Sequence, residues 1–183
     1  RRDRMKERVL ITGVNGFIGS TFMRRLADTK WEVISLNRKS CRLKNEVVLD
    51  FCDEDFYVKL DSLPKVDAVI HLGARIGWDG SPRSGLFVPN VLATAELARW
   101  SNKIGAYFIF ASAAIICGLD NTYIKSDSKP QFDSDYGYSK WLAEELIRMS
   151  GVKYAILRIG GVFGRNGPKH LSLNLSIDNT LNG

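Results

Sequence analysis

A tyrosine and a lysine lie four residues apart in the segment Tyr136-Gly137-Tyr138-Ser139-Lys140. Residues at this spacing on a helix project from one face, so both side chains can reach the same reacting group, whereas Tyr138 lies on another face. A phenol exchanges protons near neutral pH when its pKa falls by about two to three units, or roughly 3–4 kcal/mol, and a nearby ammonium lowers it. The pair therefore predicts proton transfer to or from a substrate oxygen.

The elements that must position this pair follow from short apolar runs that alternate with longer helical patterns. Strands that alternate with helices indicate βαβ units, and hence a Rossmann-type α/β fold with a doubly wound parallel sheet. Right-handed crossovers place the loops after the strands along one carboxyl edge, where such sheets bind ligands. The predicted strands cover residues 8–12, 32–36, 46–49, 66–72, 106–112 and 153–159, and the predicted helices cover 17–28, 53–60, 89–104, 134–150 and 171–181.

Three glycines, Gly13, Gly16 and Gly19, open the first predicted helix directly after the first strand. In such a turn the first glycine permits a tight bend, the second lets the backbone approach a pyrophosphate, and the third lets helix and strand pack closely. The helix N-terminus adds amide donors and positive dipole character. The spacing is G-x-x-G-x-x-G rather than the common G-x-G-x-x-G, so a helix-entry loop without a ligand is the alternative. The same predicted cofactor site includes Asn15, Phe17 and Ile18.

The stretch TGVNGFIG around these glycines resembles the opening of the extended short-chain dehydrogenase/reductase family, and the resemblance continues through most of the chain. That family includes sugar-nucleotide epimerases, dehydratases and ketoreductases. Residues 1–6 are predicted to be a basic tail because of their charges. The resemblance implies an NAD(P)-binding Rossmann domain at 7–168 and, at 169–183, the start of a substrate region that is either incomplete in this sequence or replaced by another way of holding the substrate. It also implies that Tyr136 exchanges the proton of the substrate hydroxyl, while Lys140 tunes this phenol and holds the nicotinamide ribose.

The family places a serine or threonine at the end of the fifth strand, where its hydroxyl orients the substrate oxygen. The segment FASAAIICG, residues 110–118, resembles the family stretch S-S-x-x-V-Y-G imperfectly. Counted back from Gly118, the hydroxyl position falls on Ala113, but counted forward it falls on Ser112, which we predict to be the third catalytic residue. Ala113 and Ala114 stand where dehydratases generally carry an acidic residue, so dehydration is the least favoured of the family's reactions.

The end of the second strand indicates which dinucleotide is bound. Many family members carry an acidic residue there that holds the adenosine ribose, whereas this chain has Asn37 and Arg38. A carboxylate repels a 2′-phosphate and an arginine binds it through charge-assisted hydrogen bonds, so Arg38 favours NADP(H). Asn37 can still bond the ribose of NAD, which leaves NAD(H) as the alternative.

Two further stretches match family segments that contact the cofactor. Asp50 and Phe51, after the third strand, resemble the pair that holds the adenine, although an ordinary helix-entry role for Asp50 is the alternative. After the fourth strand, a run of small residues resembles a family stretch that lies against the cofactor: Leu72, Gly73 and Ala74. We predict that Asn90, in the following helix, bonds backbone in the core.

The sequence therefore predicts an NAD(P)-dependent oxidoreductase or epimerase that acts on a nucleotide-linked sugar by hydride transfer. Gly161 departs from this expectation, since many members that act on sugar nucleotides carry a substrate-contacting asparagine there. Two alternatives stay open: a reductase of the same family for a non-sugar alcohol or ketone, and a dinucleotide-binding module with impaired catalysis. The resemblance further implies a homodimer formed through the two long helices.

The composition limits the classes of partner that the protein is expected to bind. The net charge of +6 comes from scattered basic residues without interleaved aromatics, so we predict no nucleic-acid partner. No apolar run approaches the roughly 20 residues that span a bilayer, so no membrane partner is expected. The three cysteines form no C-x-x-C pair and the two histidines, His71 and His170, are far apart, so no metal site is predicted and His71 is interpreted as structural. A reducing cytoplasm is the expected location.

Overall fold

The computed structural model describes residues 7–77, 84–118, 123–164, 167–168 and 172–182, so that the predicted basic tail and His170 lie outside the described residues. The strands are β1 (Arg8–Thr12), β2 (Glu32–Asn37), β3 (Glu46–Val48), β4 (Ala68–His71), β5 (Tyr107–Ala113) and β6 (Tyr154–Ile159). They form one parallel sheet in the order β3-β2-β1-β4-β5-β6. This order reverses its direction between β1 and β4, which confirms the predicted Rossmann-type fold.

The helices are α1 (Phe17–Leu26), α2 (Phe56–Asp61), α3 (Ser84–Phe87), α4 (Ala93–Ile104), α5 (Asp135–Met149) and α6 (Ser172–Asn182). The predicted helix over residues 89–104 begins earlier than expected, because α3 continues through a π-helical stretch, Val88–Leu92, into α4. Pro89 lies at the start of this stretch and has no N–H, so an α-helical hydrogen bond is lost there. None of the described helices is long and apolar enough to cross a membrane.

Both faces of the sheet are covered by apolar side chains, as the alternation along β1 shows. Leu10 belongs to the larger core cluster, which contains Trp100 of α4 and Ile147 of α5. Its neighbours Val9 and Ile11 belong to a second cluster, on the opposite face, that packs against α1. Because successive side chains of a strand point to opposite faces, a single strand supplies both clusters.

Candidate functional site

A groove of about 780 Å³ lies at the carboxyl edge of the sheet, where β1, β2 and β4 end. This is the edge at which the strand order reverses, the usual ligand position in such folds. The predicted cofactor residues in its lining are Gly13, Asn15, Gly16, Asn37, Arg38, Asp50, Phe51, Leu72, Gly73 and Ala74. The lining also includes residues that the sequence did not indicate: Leu36, Leu49, Cys52, Arg75, Ile76, Gly77 and Pro89. Phe17, Ile18 and Gly19 lie in the first turn of α1 and are not among the lining residues.

The glycine turn has the geometry that its spacing predicts. Gly13 has a φ of +73°, and a Cβ there would lie 2.7 Å from the backbone nitrogen of Gly73. At Gly19 a Cβ would overlap the carbonyl oxygen of Gly13, so only glycine lets α1 pack against the turn. Gly16 is the N-cap of α1, with no side-chain cap and no acidic residue in the first turn. The first amide groups of α1 therefore face the turn without a carboxylate partner, as an anion site requires.

The end of β2 presents one cation to the groove. Arg38 is exposed and lines the groove, and it makes no hydrogen bond or ion pair within the described part of the chain. Asn37 is buried instead, and its Nδ2 donates to Glu46 Oε1 at 3.0 Å. Across the groove, Asp50 Oδ1 accepts the backbone N–H of Cys52 at 3.0 Å. Arg38 is therefore available to an anion, whereas the amide of Asn37 is already engaged.

Gly73, just after β4, lies close to the aromatic ring of Phe51. Phe51 packs edge-on against Phe56 and His71, with ring centroids 5.6 and 5.5 Å apart. A Cβ at Gly73 would lie 3.0 Å from Phe51 Cε2 and 3.1 Å from Thr12 Oγ1. Such contacts are tighter than ordinary van der Waals contacts, so the backbone of this loop is exposed to the groove because Gly73 carries no side chain.

His71 is structural, as predicted, and it lies in a chain of hydrogen bonds. It is fully buried, and burial lowers its pKa well below the usual range, so the ring is neutral. Thr94 Oγ1 donates to the Asn90 carbonyl at 2.7 Å and so accepts from His71 Nε2 at 2.9 Å. His71 Nδ1 then accepts the hydroxyl proton of Thr12 at 2.6 Å, while Thr12 Oγ1 accepts the Gly73 N–H at 3.0 Å. The chain links the glycine turn to the π-helical stretch.

Asn90 bonds backbone in the core, as predicted, and it also connects the groove to α5. Its Oδ1 accepts the Arg75 N–H at 2.7 Å, and its Nδ2 donates to the Arg75 carbonyl at 2.8 Å and to Ser139 Oγ at 3.0 Å. Ser139 Oγ in turn donates to the Tyr136 carbonyl at 2.8 Å. Arg75 lines the groove, so Asn90 fixes the start of α5 relative to the groove.

Tyr136 and Lys140 both lie near the N-terminus of α5, and neither is among the residues that line the groove. Lys140 is buried, and its Nζ lies 4.0 Å from the centroid of the Phe110 ring, which stacks on His71 at 5.6 Å. Burial lowers the pKa of Lys140 to about 7, against the opposing effect of the Glu144 carboxylate. Burial also raises the pKa of Tyr136, which is the opposite of the direction that proton transfer near neutral pH needs. Lowering the pKa of this phenol thus requires a positive charge close to it.

Ser112 faces α5, on the same side of β5 as Phe110. Its hydroxyl donates to Glu144 Oε1 at 2.6 Å in a buried cluster. Arg158 of β6 binds both oxygens of Glu144, at 3.0 and 2.8 Å, and Arg148 binds Oε2 at 2.9 Å. The Ser112 hydroxyl is therefore engaged and is not among the lining of the groove, so the predicted catalytic role requires it to leave Glu144 for the substrate oxygen.

Two carboxylates near the site were missed by the sequence analysis. Glu144 lies four residues after Lys140, so the spacing that linked Tyr136 to Lys140 also places Glu144 on that helix face. Glu46 lies nine residues after Asn37, and no spacing rule connects a strand end with the start of the next strand. Among the described residues, no group of three or more His, Cys, Asp or Glu side chains is arranged to hold a metal ion.

Comparison with known proteins gives one family. The sequence model of the NAD dependent epimerase/dehydratase family matches residues 9–178. A protein of Methanocaldococcus jannaschii named "Putative UDP-glucose 4-epimerase" is 32% identical, over 88% of this chain and 58% of that protein. The ADP-L-glycero-D-manno-heptose-6-epimerase of Alkalilimnicola ehrlichii is 28% identical, over 76% of this chain and 47% of that protein. The chain thus spans about half the length of these curated relatives.

Solved structures with the same fold have sequence identities to this chain that are similar to those of the curated relatives. A short-chain dehydrogenase/reductase superfamily protein from Agrobacterium tumefaciens with bound NAD has a TM-score of 0.74 and 27% identity, over 87% of this chain and 49% of that one. The UDP-Glc/GlcNAc 4-epimerase of Campylobacter jejuni has a TM-score of 0.74 and 26% identity, over 83% and 53%. MoeE5, in complex with UDP-glucose and NAD, has a TM-score of 0.76 and 26% identity, over 96% and 61%.

Proposed function

Since this chain belongs to the NAD-dependent epimerase/dehydratase family, we propose that it binds a nicotinamide dinucleotide along the groove and acts on a sugar nucleotide. The observation that carries the proposal is the groove itself, of about 780 Å³, whose lining brings together the glycine turn and the ends of β2 and β4. This chain spans about half the length of its curated relatives. The substrate and the reaction of the whole protein are therefore part of the proposal.

The groove fits a dinucleotide in two respects. The glycine turn forms a cradle that a Cβ at Gly13 or Gly19 would fill, and the uncapped first turn of α1 supplies amide donors for a pyrophosphate. Asp50 lines the groove, and its carboxylate suits the exocyclic amine of adenine. The backbone of Leu72, Gly73 and Ala74 would lie against the cofactor, and Tyr136 and Lys140 would meet its nicotinamide ribose.

The chemistry of the proposal depends on a pair of side chains on α5. When bound, the nicotinamide would accept a hydride from the carbinol carbon of the substrate and later return it. Tyr136 exchanges the proton of the substrate hydroxyl, and Lys140, whose pKa of about 7 leaves it partly charged at neutral pH, stabilises the phenolate. Ser112 is the remaining candidate for holding the substrate oxygen, by exchanging its bond to Glu144.

The family supports epimerisation as the net reaction, since the two curated relatives carry the names of epimerases. At Gly161 a Cβ would meet no described atom within 4 Å. A sugar nucleotide is the proposed substrate class, as in the solved complex of MoeE5 with UDP-glucose.

The choice between the two dinucleotides depends on Arg38. Its unpaired guanidinium at the groove favours a 2′-phosphate, and hence NADP(H). The Agrobacterium tumefaciens protein and MoeE5 hold NAD, which favours NAD(H). We retain NADP(H) as the proposal because the two residues at the end of β2, Asn37 and Arg38, carry no carboxylate that would repel the phosphate.

Fluorescence titration with NADPH and NADH, in the wild type and in Arg38→Ala, tests the cofactor proposal. Saturable binding of NADPH that weakens about tenfold or more in the variant is expected, because the arginine supplies charge-assisted hydrogen bonds. A preference for NADH that the variant leaves unchanged would reverse the choice of cofactor and keep the site. Binding of neither dinucleotide by the intact protein would overturn the proposed function.

A second candidate function is a dinucleotide-binding module with impaired catalysis, because the Ser112 hydroxyl is bound to Glu144. Turnover of UDP-sugars by the intact protein, with loss of at least about 10²-fold in Tyr136→Phe, separates the two candidates.

A homodimer through α4 and α5 is also proposed, and analytical ultracentrifugation of the intact protein tests it.

A further inference from the structure

Glu46, at the start of β3, accepts hydrogen bonds from four donors at the end of β2 and on the turn that follows it. Its Oε1 accepts from Asn37 Nδ2 at 3.0 Å and from the Cys41 N–H at 2.6 Å. Its Oε2 accepts from Ser40 Oγ at 2.7 Å and from the Arg42 N–H at 3.2 Å. The donors stand on both sides of residues 38 and 39, so one carboxylate fixes the turn before and after Arg38.

The ionised form of Glu46 makes these bonds. The hydrogen bond from Ser40, followed by those from Cys41 and Asn37, lowers the pKa of Glu46 to about 2. The carboxylate therefore stays charged at neutral pH, and hydrogen bonds to a charged acceptor are stronger than neutral ones.

The backbone of the same turn is held in a conformation that it would not adopt alone. Arg42 and Asn45 have φ values of 58° and 60°, in the left-handed region that non-glycine residues rarely enter. Such conformations persist where the surroundings over-determine them, and they occur often at ligand clamps. Here Glu46 supplies that constraint directly, through its bond to the Arg42 N–H.

The turn is also joined to the glycine turn on the other side of the groove end. Cys41 Sγ donates to Asn15 Oδ1 at 2.8 Å, and Asn15 lines the groove. The backbone that carries Arg38 is thus held between β3 and the glycine turn. Arg38 itself is exposed and unpaired within the described residues, so its position depends on its backbone rather than on a partner.

We propose that Glu46 is a positioning residue for cofactor selection, which holds the turn so that the Arg38 guanidinium meets the 2′-phosphate of NADP(H). The inference rests on the proposed function, because it requires a dinucleotide in the groove. Glu46 contacts neither the phosphate nor the reacting atoms, and it acts through Arg38. The other cations of the turn, Lys39, Arg42 and Lys44, are exposed and add a favourable field that does not depend on the geometry of the turn.

A double-mutant cycle on the intact protein tests the proposal, with dissociation constants for NADPH and NADH measured by fluorescence titration. Glu46→Ala is expected to weaken NADPH binding about fivefold and to leave NADH binding within about twofold, because only the phosphate requires Arg38 in place. In an Arg38→Ala background, Glu46→Ala should have no further effect on NADPH. Glu46→Gln, which keeps one acceptor oxygen for Cys41 and Asn37, should retain much of the NADPH affinity.

The control is Glu32→Ala, which removes the same side chain from the opposite end of β2, where Glu32 pairs with Arg8 at the surface. It should change neither dissociation constant. Equal weakening of NADPH and NADH in Glu46→Ala would show a merely structural role and overturn the proposal, as would additive effects in the cycle. Stronger NADPH binding in Glu46→Ala would overturn it by showing that the carboxylate competes with the phosphate.

The cycle also separates this inference from the cofactor proposal. If Arg38→Ala alone leaves NADPH binding unchanged, the assignment of the phosphate to Arg38 fails, and the role of Glu46 fails with it. If Arg38→Ala weakens NADPH binding and Glu46→Ala does not, only the role of Glu46 is wrong.

Discussion

The ammonium group of Lys140 lies 4.0 Å from the centre of the Phe110 ring, and the lysine is only 2% exposed. No hydrogen bond to this ammonium occurs within the described residues. Burial accordingly lowers the pKa of Lys140 to about 7. The ammonium of Lys140 is therefore a buried cation whose charge the protein stabilises only in part.

Replacing this lysine is expected to stabilise the ligand-free protein. Between pH 7 and 10.5 the native chain binds fewer protons than the unfolded chain, so this lysine lowers stability most below pH 7 and least above 10.5. Lys140→Met should therefore raise the free energy of unfolding by about 2–4 kcal/mol at pH 7. Denaturant unfolding between pH 6 and about 10.5 checks this.

The difference between Lys140→Met and wild type should shrink as the pH rises through that window. Lys153→Met, at an exposed lysine, is the matched control and should show no such trend. A difference that is constant with pH would mean that the gain comes from packing and not from the removed charge.

Gly13→Ala should cost more stability than Gly105→Ala, although both glycines have left-handed backbones, with φ of +73° and +78°. Both variants meet the backbone penalty of about 1 kcal/mol. At Gly105 a Cβ would touch nothing within 4 Å, whereas at Gly13 it would lie 2.7 Å from the Gly73 nitrogen. We expect at least about 2 kcal/mol more loss for Gly13→Ala, together with loss of dinucleotide binding. Comparable losses in thermal unfolding would disprove the clash.

His71 should be observed as the Nε2–H tautomer in long-range ¹H–¹⁵N spectra. The direction follows from Thr94, whose hydroxyl donates to the Asn90 carbonyl and so can only accept from His71. Because burial lowers the pKa of His71 well below its usual range, the signal should not titrate in the pH range where an exposed histidine gains its proton. A His170→Gln variant assigns the signal to His71, because His71 is then the only histidine in the sequence. A ring that gains a proton near pH 6.5 would contradict the buried neutral state.

The same histidine should make stability fall on the acid side. Below pH 6.5 the unfolded chain takes up a proton at His71 that the native chain does not, so the native state loses stability as the pH falls.

Thr12→Val removes the donor to His71 Nδ1 and should cost about 1–3 kcal/mol of stability. Chemical denaturation at pH 7 measures that loss, and an unchanged midpoint would show that the chain of hydrogen bonds carries no stability.

Ser112→Ala tests whether this hydroxyl serves the substrate or only Glu144. We expect dinucleotide affinity to stay within twofold and stability to fall by about 1 kcal/mol, because Glu144 keeps its two arginine partners. The turnover number for a UDP-sugar should fall about 10–100-fold in the intact protein. Ser112→Thr keeps a hydroxyl and should recover part of the loss. An unchanged turnover number in Ser112→Ala would restrict Ser112 to its bond with Glu144.

Local sequence patterns were enough to predict the parallel sheet and to suggest a ligand site at its carboxyl edge. The apolar run of β1 and the alternation of strands with helices are local patterns that backbone geometry constrains, and they predicted the order of elements. The glycines at residues 13, 16 and 19 were informative for the same reason, because their spacing reflects the backbone of a single turn. Asn90 was correctly predicted to bond backbone, although the π-helical stretch around it was not foreseen.

The protonation states and hydrogen bonds around the site depend on contacts between elements that are distant in the sequence. The pKa of Lys140 depends on the burial that Phe110 and its neighbours impose, and the engagement of Ser112 depends on Glu144, 32 residues away. Glu46 returns to the turn after β2 because β3 pairs with β2, and no local pattern encodes that contact. Burial and long-range hydrogen bonds depend on which elements pack together, so they arise when the sheet and helices assemble and cannot be predicted from residue spacing.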